Sequence, residues 1–540
     1  MRHSIKILSG LLAAAVCLGT VTHATTPAAE ALQRGGVLRI ISVGEPRLLN
    51  PVFDNSDSAR ELYNLIFSSL IRRNSQSQLE PDLLTVVPTY QNGMIRNLPN
   101  GEMEVTYMLR PQLLWQDGHP LSAEDVQFTW MAHTDPRFKY PPTPGYEQIR
   151  QVQVVDPQTV RVTFFETYPE YYNLFQHILP KHSFRSKYWD FAEDHPWNSH
   201  PVGSGPFVLK DWKKGQMAIF DANPLYHRAK PNLDQIRYQF KETGYRAIPG
   251  VVDWVQGADI VQGMSIVSYD YLKEHPELEL HLRNTGKIEH IEINIKQPVL
   301  ADLRVRRALA YAIDRKAISE RLLGLAQPAW SDQPQDSWKY NERSSSFYNF
   351  NPQHAAKLLN EAGWSPKGVG QRYNEKGEAL TLSLAMVNGN KSHQLVGSYL
   401  RDAFAQIGVK LELKPVPEEM LLADMLPGGH YELALASWSS HPDETSFKRW
   451  HSSQMPPKGN NFTRFVDYQA DSLLQSLESA SDINQQRRLY FQLAAVLSER
   501  LPAIPLYHDT VLEASKKRVH NYHPNPFMGA TWNSANWWIE

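Results

Sequence analysis

The chain's single cysteine, Cys17, lies inside an uncharged apolar run at residues 7–21. Arg2 and Lys6 precede that run, and Thr22-His23-Ala24 follows it with small residues at −3 and −1 of a cleavage site after Ala24. This is the pattern of an export signal. The run is shorter than the ~20 residues a spanning helix needs, and Val16 stands where a lipoprotein box requires a small residue. Residues 1–24 are therefore expected to be removed and the remainder exported to the periplasm. Everything after Ala24 lacks cysteine, which excludes disulfides, thiolate nucleophiles and Cys-bearing zinc sites. Such a chain is held together by core burial alone.

Its length permits that. At ~150 residues per domain, 540 residues make three or four units, or fewer larger ones. Hydrophobic residues are 42% and charged residues 21% of the total, the balance of a globular chain rather than a multi-span or disordered one. A net charge of −2 leaves no global basic field to recruit nucleic acid. The 14 Trp, 24 Tyr and 20 Phe supply rings for cores and for lining a ligand cleft.

No repeat or low-complexity linker interrupts the sequence after residue 33. VLRIISV (37–43) reads as a buried strand ended by Gly44 and Pro46. EVTYML (104–109) is a second, and 152–155 and 160–165 form a pair around Asp156-Pro157. Ser122, three residues before Asp125, caps a helix carrying Val126 and Trp130. Asn351-Pro352 opens another helix and Gly363 stops it. Residues 288–295 alternate imperfectly as a strand, and 305–313 follow helical spacing. Strand 409–413, helix 418–426 and strand 431–438 make a βαβ unit and imply a partly parallel sheet. A last long helix at 485–500 runs into Ile504-Pro505-Leu506-Tyr507. The class is α/β with mixed sheets.

The ordered segments GGVLRI (35–40), LWQDGHPLSAEDVQFTW (114–130), GSGPFVLKDW (203–212), NPLYHRAKPNLDQI (223–236), VRRALAYAIDRKAI (305–318), NFNPQHAAKLLNEAGW (349–364) and IGVKLEL (407–413) resemble the family 5 extracellular solute-binding proteins. That is the peptide- and nickel-binding class serving ABC importers. The resemblance implies a two-lobed, hinged binding-protein fold with an additional domain. Domain I would comprise residues 25–58, 196–283 and 506–540. Domain II would be 59–195 and domain III 284–505, with crossings near 284–287 and 504–507. Ligand would close the lobes through contacts available only in the closed state.

The resemblance also implies a site. In peptide-binding relatives, an aspartate three residues after a cleft tryptophan holds the peptide's α-amine. Here Trp438 is present, His441 takes the aspartate's place, and Asp443 lies two residues further on. A neutral imidazole does not pair an ammonium as a carboxylate does. By the same placement Glu45 and Arg47 border the cleft from domain I, beside Pro46, which lacks an N–H for strand-like ligand pairing. Tyr507 and His508 sit at a crossing, Tyr146 reaches in from domain II, and Leu435 occupies a position that is basic in one tripeptide-binding relative. Gly118, Gly205, Asp125 and the pair Arg306-Arg307 read as scaffold.

Two functions from different classes follow. The first is a substrate-binding subunit of an ABC importer, carrying a peptide or peptide-like solute to a membrane permease. It needs no cofactor, metal or nucleic acid and acts as a monomer. The alternative is a secreted hydrolase of glycans or peptides using carboxylates such as Asp443 and Asp509. G-x-S-x-G, H-E-x-x-H and P-loop motifs are absent from the sequence. The spacings of His177 with His182 and of His195 with His200 suit neither helical nor zinc-finger ligation.

Overall fold

The computed structural model describes residues 34–75, 78–135, 145–184, 195–241, 251–335, 337, 339–342, 348–368, 370–439, 446–480, 483–526 and 528–540. Its organising element is a ten-stranded mixed sheet. From one edge the strands run Lys410–Val416, Thr381–Val387, Leu433–Ser439, Leu278–Ile293 and Ala503–Lys516. Across the middle they continue with Ile260–Ser265, Val37–Val43, Gln235–Lys241, Met217–Ala222 and Phe207–Lys213.

Two strands are much longer than the rest, Leu278–Ile293 with 16 residues and Ala503–Lys516 with 14. They pair antiparallel with each other, and they alone connect the two halves of the sheet. Their register breaks between Asn284 and Ile288. Gly286 lies there at φ +70°, a conformation glycine adopts without a Cβ clash. Before the break Leu278–Ile293 has no second neighbour among the described residues; after it, Leu433–Ser439 joins through residues 287–293. The bulge thus coincides with the change of half-sheet.

Each half is covered on both faces. Ile40 and Ile260 face a core with Phe207, Phe220 and Tyr238, while Ile41 and Val261 face another with Val255 and Leu512. In the second half, Ile291, Leu433, Leu435 and Ile504 pack under the helices Leu303–Tyr311 and Lys391–Gln406. Its opposite face holds Ile288, Trp438 and Trp450 against Tyr468–Ser479 and Ile483–Arg500. A separate four-stranded antiparallel sheet, Ile95–Asn97, Met103–Met108, Thr159–Phe164 and Ile149–Asp156, has its own core with Trp115 and Phe175.

Several local expectations are met for the stated reasons. Ser122 and Asp125 form a reciprocal capping box, and Asn351 caps a helix with Pro352 in its first turn. Gly205 permits a close approach, since a Cβ there would lie 2.6 Å from the Ile66 carbonyl carbon. Arg306 is buried scaffold, its guanidinium donating to the carbonyls of Leu300, Ala301, Arg500 and Leu501. The βαβ expectation is met: Lys410–Val416 and Leu433–Ser439 run parallel in one sheet, each pairing parallel with Thr381–Val387, which lies between them. The crossover therefore skips a strand.

Candidate functional site

The first candidate wall is the loop after Val37–Val43. Asp54 organises it: its Oδ2 accepts the N–H groups of Arg47 and Leu48 at 2.8 and 3.2 Å, and its Oδ1 accepts that of Ser56 at 2.9 Å. Burial alone would raise the Asp54 pKa; hydrogen bonds from Ser56, Leu48 and Arg47 outweigh it and hold the carboxyl below its ordinary range. Tyr63 donates its hydroxyl to the Asp54 carbonyl at 2.8 Å. Glu45 accepts from Trp212 Nε1 and Gly215 N, both at 2.8 Å, and Arg47 donates to the Phe53 carbonyl at 3.0 Å. Both predicted residues are thus braced within this wall.

At the crossing, Thr285 Oγ1 donates to Asp509 Oδ2 at 2.8 Å across the gap in the ladder. Lys287 Nζ reaches Asp57 Oδ2 at 2.8 Å, tying the bulge to the start of helix Asp57–Ile66. Tyr507 and His508 are each 3% exposed. The Tyr507 ring belongs to the core of the second half, and His508 N donates to the Gln327 carbonyl at 2.8 Å.

Two polar clusters missed by sequence reasoning flank the crossing. On one side Arg283 Nε donates to Glu513 at 2.6 Å and its Nη2 lies 3.4 Å from Glu61, whose carboxylate accepts the N–H groups of Ala530 and Thr531. Tyr522 completes the set through its hydroxyl on Glu513. Burial raises the Glu61 pKa despite the Arg283 charge; Arg283 is held above its ordinary value because Glu513 and Glu61 outweigh the burial that opposes its charge. On the other side His290 Nε2 lies 2.7 Å from Glu292, and His393 Nε2 lies 3.3 Å from Glu289.

The second candidate wall is built on Trp438, which pairs with Ile288 near the end of Leu433–Ser439. Its ring stacks on His290 at 3.5 Å and 18° and meets Trp450 edge-on at 5.2 Å. The Arg449 guanidinium sits 5.1 Å from the Trp438 ring centre. Beside the two tryptophans is a cavity of about 30 Å³, also lined by Arg315, Trp330 and Asp332. That is space for about two waters, not for a solute. Arg315 donates to the Ala329 and Pro505 carbonyls, and burial pulls its pKa down to about 10. Leu435 is core, 1% exposed. His441 and Asp443 lie outside the described residues.

Tyr146 is placed differently from the expectation that it reaches into a cleft. It is 3% exposed in the core of the four-stranded sheet, stacked on His133 at 4.2 Å, with its hydroxyl accepting the Phe175 N–H at 2.9 Å. Burial pushes its hydroxyl pKa up and pulls that of His133 down to about 3. A tyrosine in a Pro-rich loop carries no sign of which way its ring turns.

Among the described residues no helix is long and apolar enough to cross a membrane. Residues 99–459 match the model for bacterial extracellular solute-binding proteins, family 5 Middle, about two thirds of the chain. The chain is 25% identical to the oligopeptide-binding protein AppA of Bacillus subtilis over 518 residues, covering 94% of this chain and 92% of AppA. It is 25% identical to the dipeptide-binding protein of Escherichia coli over 561 residues, covering 97% and 98%. The crystal structure of NikZ from Campylobacter jejuni in complex with Ni(L-His) superposes with a TM-score of 0.76 at 23% identity, covering 93% of this chain and 99% of NikZ. The AppA structure, in complex with a nonapeptide, gives 0.77 at 24% identity and covers 94% and 100%. The mixed sheet crossed by two long strands matches that fold, and the chain belongs to the family 5 bacterial extracellular solute-binding proteins, the non-enzymatic binding components of ABC importers.

Proposed function

We propose that the solute is a peptide or peptide-like molecule, enclosed between the first wall, at Glu45 and Arg47, and the second, at Trp438. Tyr507 and His508 would contribute at the crossing, and His441 and Asp443 from the segment after Ser439. The observation that carries this reading is the near full-length likeness to AppA and to the dipeptide-binding protein. The two lobes would correspond to residues 25–58, 196–283 and 506–540 and to 284–505, with 59–195 as the added domain. Residues 1–24 would be removed on export to the periplasm, where the monomer would deliver its solute to a permease. Arg449 adds what the sequence reading lacked, a cation beside Trp438 suited to a peptide carboxylate.

Thermal-shift screening of di- to pentapeptides, cell-wall peptides, sugars and metal chelates tests the assignment. A solute at ~100 times its dissociation constant should add about 2.7 kcal/mol of stability. A hit among peptides supports the reading, and a response to sugars or chelates alone overturns it. His441 is tested by comparing free-amine and N-acetylated forms of the hit. His441→Asp should shift preference toward the free amine, because a carboxylate pairs an ammonium. Equal preference in both proteins removes His441 from the site.

A further inference from the structure

Outside the cleft, the added domain gathers three metal-type donors from distant parts of the chain. Asp117 and His119 stand on the turn of residues 115–120, and His182 on the short turn Lys181–Ser183. One donor atom from each lies within 4.8 Å of the other two. His182 Nε2 is 2.7 Å from Asp117 Oδ2, and His119 Nδ1 is 3.2 Å from Asp117 Oδ1. The two imidazoles stack at 4.3 Å and 22°.

We propose that Asp117, His119 and His182 form a binding site for a zinc-type divalent cation. Two imidazoles and a carboxylate are the donors that borderline first-row metals select. Ligand bonds of about 2.0–2.2 Å put tetrahedral donors roughly 3.3 Å apart, and one donor atom from each of the three side chains lies within 4.8 Å of the others, within reach of that spacing. The side chains of His119, Asp117 and His182 are 60%, 32% and 25% exposed, so an ion enters from solvent and keeps water in its remaining position.

Both supporting segments are braced independently of the three side chains. Trp115 N donates to the His119 carbonyl at 2.8 Å, closing the turn. Gln116 locks it to the main sheet through Gly203 N at 3.0 Å and the Phe207 carbonyl at 2.8 Å. On the other segment, Lys181 N donates to the buried Asp125 Oδ1 at 2.9 Å, while Lys181 Nζ is drawn to Glu124 at 2.6 Å. The backbone geometry is thus set before any ion arrives, which lowers the ordering cost of binding. A bound ion would staple the two turns of the added domain, away from Trp438 and the crossing strands.

The test is equilibrium dialysis of ZnCl2 against the full exported chain, carrying no histidine tag and stripped with EDTA. Wild type should bind one more equivalent of Zn2+ at micromolar free metal than the His119→Ala/His182→Gln double variant, with both proteins sharing one circular-dichroism spectrum. The single variant Asp117→Asn should weaken that site at least tenfold. Co2+ should give visible d–d absorption in wild type that is lost in the double variant. Equal Zn2+ binding by wild type and double variant, or no equivalent bound by wild type, overturns the proposal.

Discussion

The two ends of the crossing strands solve one problem with different chemistry. Toward the first lobe, the buried carboxylates Glu61 and Glu513 are held by Arg283, a cation that keeps its charge at any ordinary pH. Toward the second, Glu292 and Glu289 face the imidazoles of His290 and His393, and the aromatic group Trp438–Trp450 packs alongside. The guanidinium end is permanently paired and predominantly polar. The imidazole end is joined to an aromatic wall. A hinge built so has one side fixed by a permanent charge pairing and one side framed by stacked rings, and the second side carries Trp438 and Arg449.

The largest effect is expected from breaking the anchored end. Arg283→Met leaves two buried carboxylates without their cation and should cost about 3–5 kcal/mol, read from urea unfolding. Adding Glu61→Gln and Glu513→Gln should restore most of the loss. A single-variant cost below about 1 kcal/mol would mean that the charges are solvated and the contrast between the ends is false.

Next comes the aromatic end. Trp438→Ala removes the ring stacked on His290 and should lower stability by about 3 kcal/mol even without solute, since large buried rings leave cavities. Trp438→Phe should recover more than half of that loss. If it does so yet still weakens the peptide hit tenfold, Trp438 serves both core and cleft. Unchanged affinity in Trp438→Phe leaves it a core residue.

A smaller effect separates the ends by pH. Burial by itself raises the Glu289 pKa, but the hydrogen bond and charge of His393 outweigh it, so Glu289 ionises below its ordinary range in the folded chain. Its contribution is present at neutral pH and is lost as pH falls below the ordinary glutamate value of ~4.3, where the unfolded chain takes up the proton first. Glu289→Gln should therefore cost about 1.5 kcal/mol at pH 7 and flatten the acid limb of the stability profile. An unchanged acid limb would refute the pairing.

The smallest effect belongs to the first wall. Glu45→Gln keeps an acceptor oxygen for Trp212 Nε1 while the exposed Gly215 N–H turns to water, and should change stability by about 1 kcal/mol. Calorimetry with the peptide hit then isolates its charge: a loss of affinity at preserved melting temperature assigns Glu45 to a cationic group of the solute.

Much of this molecule is local and was legible in the chain. Ser122 with Asp125, Asn351 with Pro352, and the strands at 37–43 and 104–109 are set by neighbours within a few residues, through capping, fixed φ and side-chain alternation. The family is legible because its motifs recur in order along the whole length. Tertiary structure alone decided how distant segments meet. It placed Thr381–Val387 between the two strands of the βαβ unit, turned Tyr146 into a core, and built the Arg283–Glu61–Glu513 cluster from segments more than 200 residues apart. It also set His182 beside Asp117, 65 residues away, where linear spacing showed no metal-like pattern. Backbone propensity acts over one or two turns of chain, whereas the pairing of a buried charge or a donor set depends on which surfaces the packed lobes bring face to face.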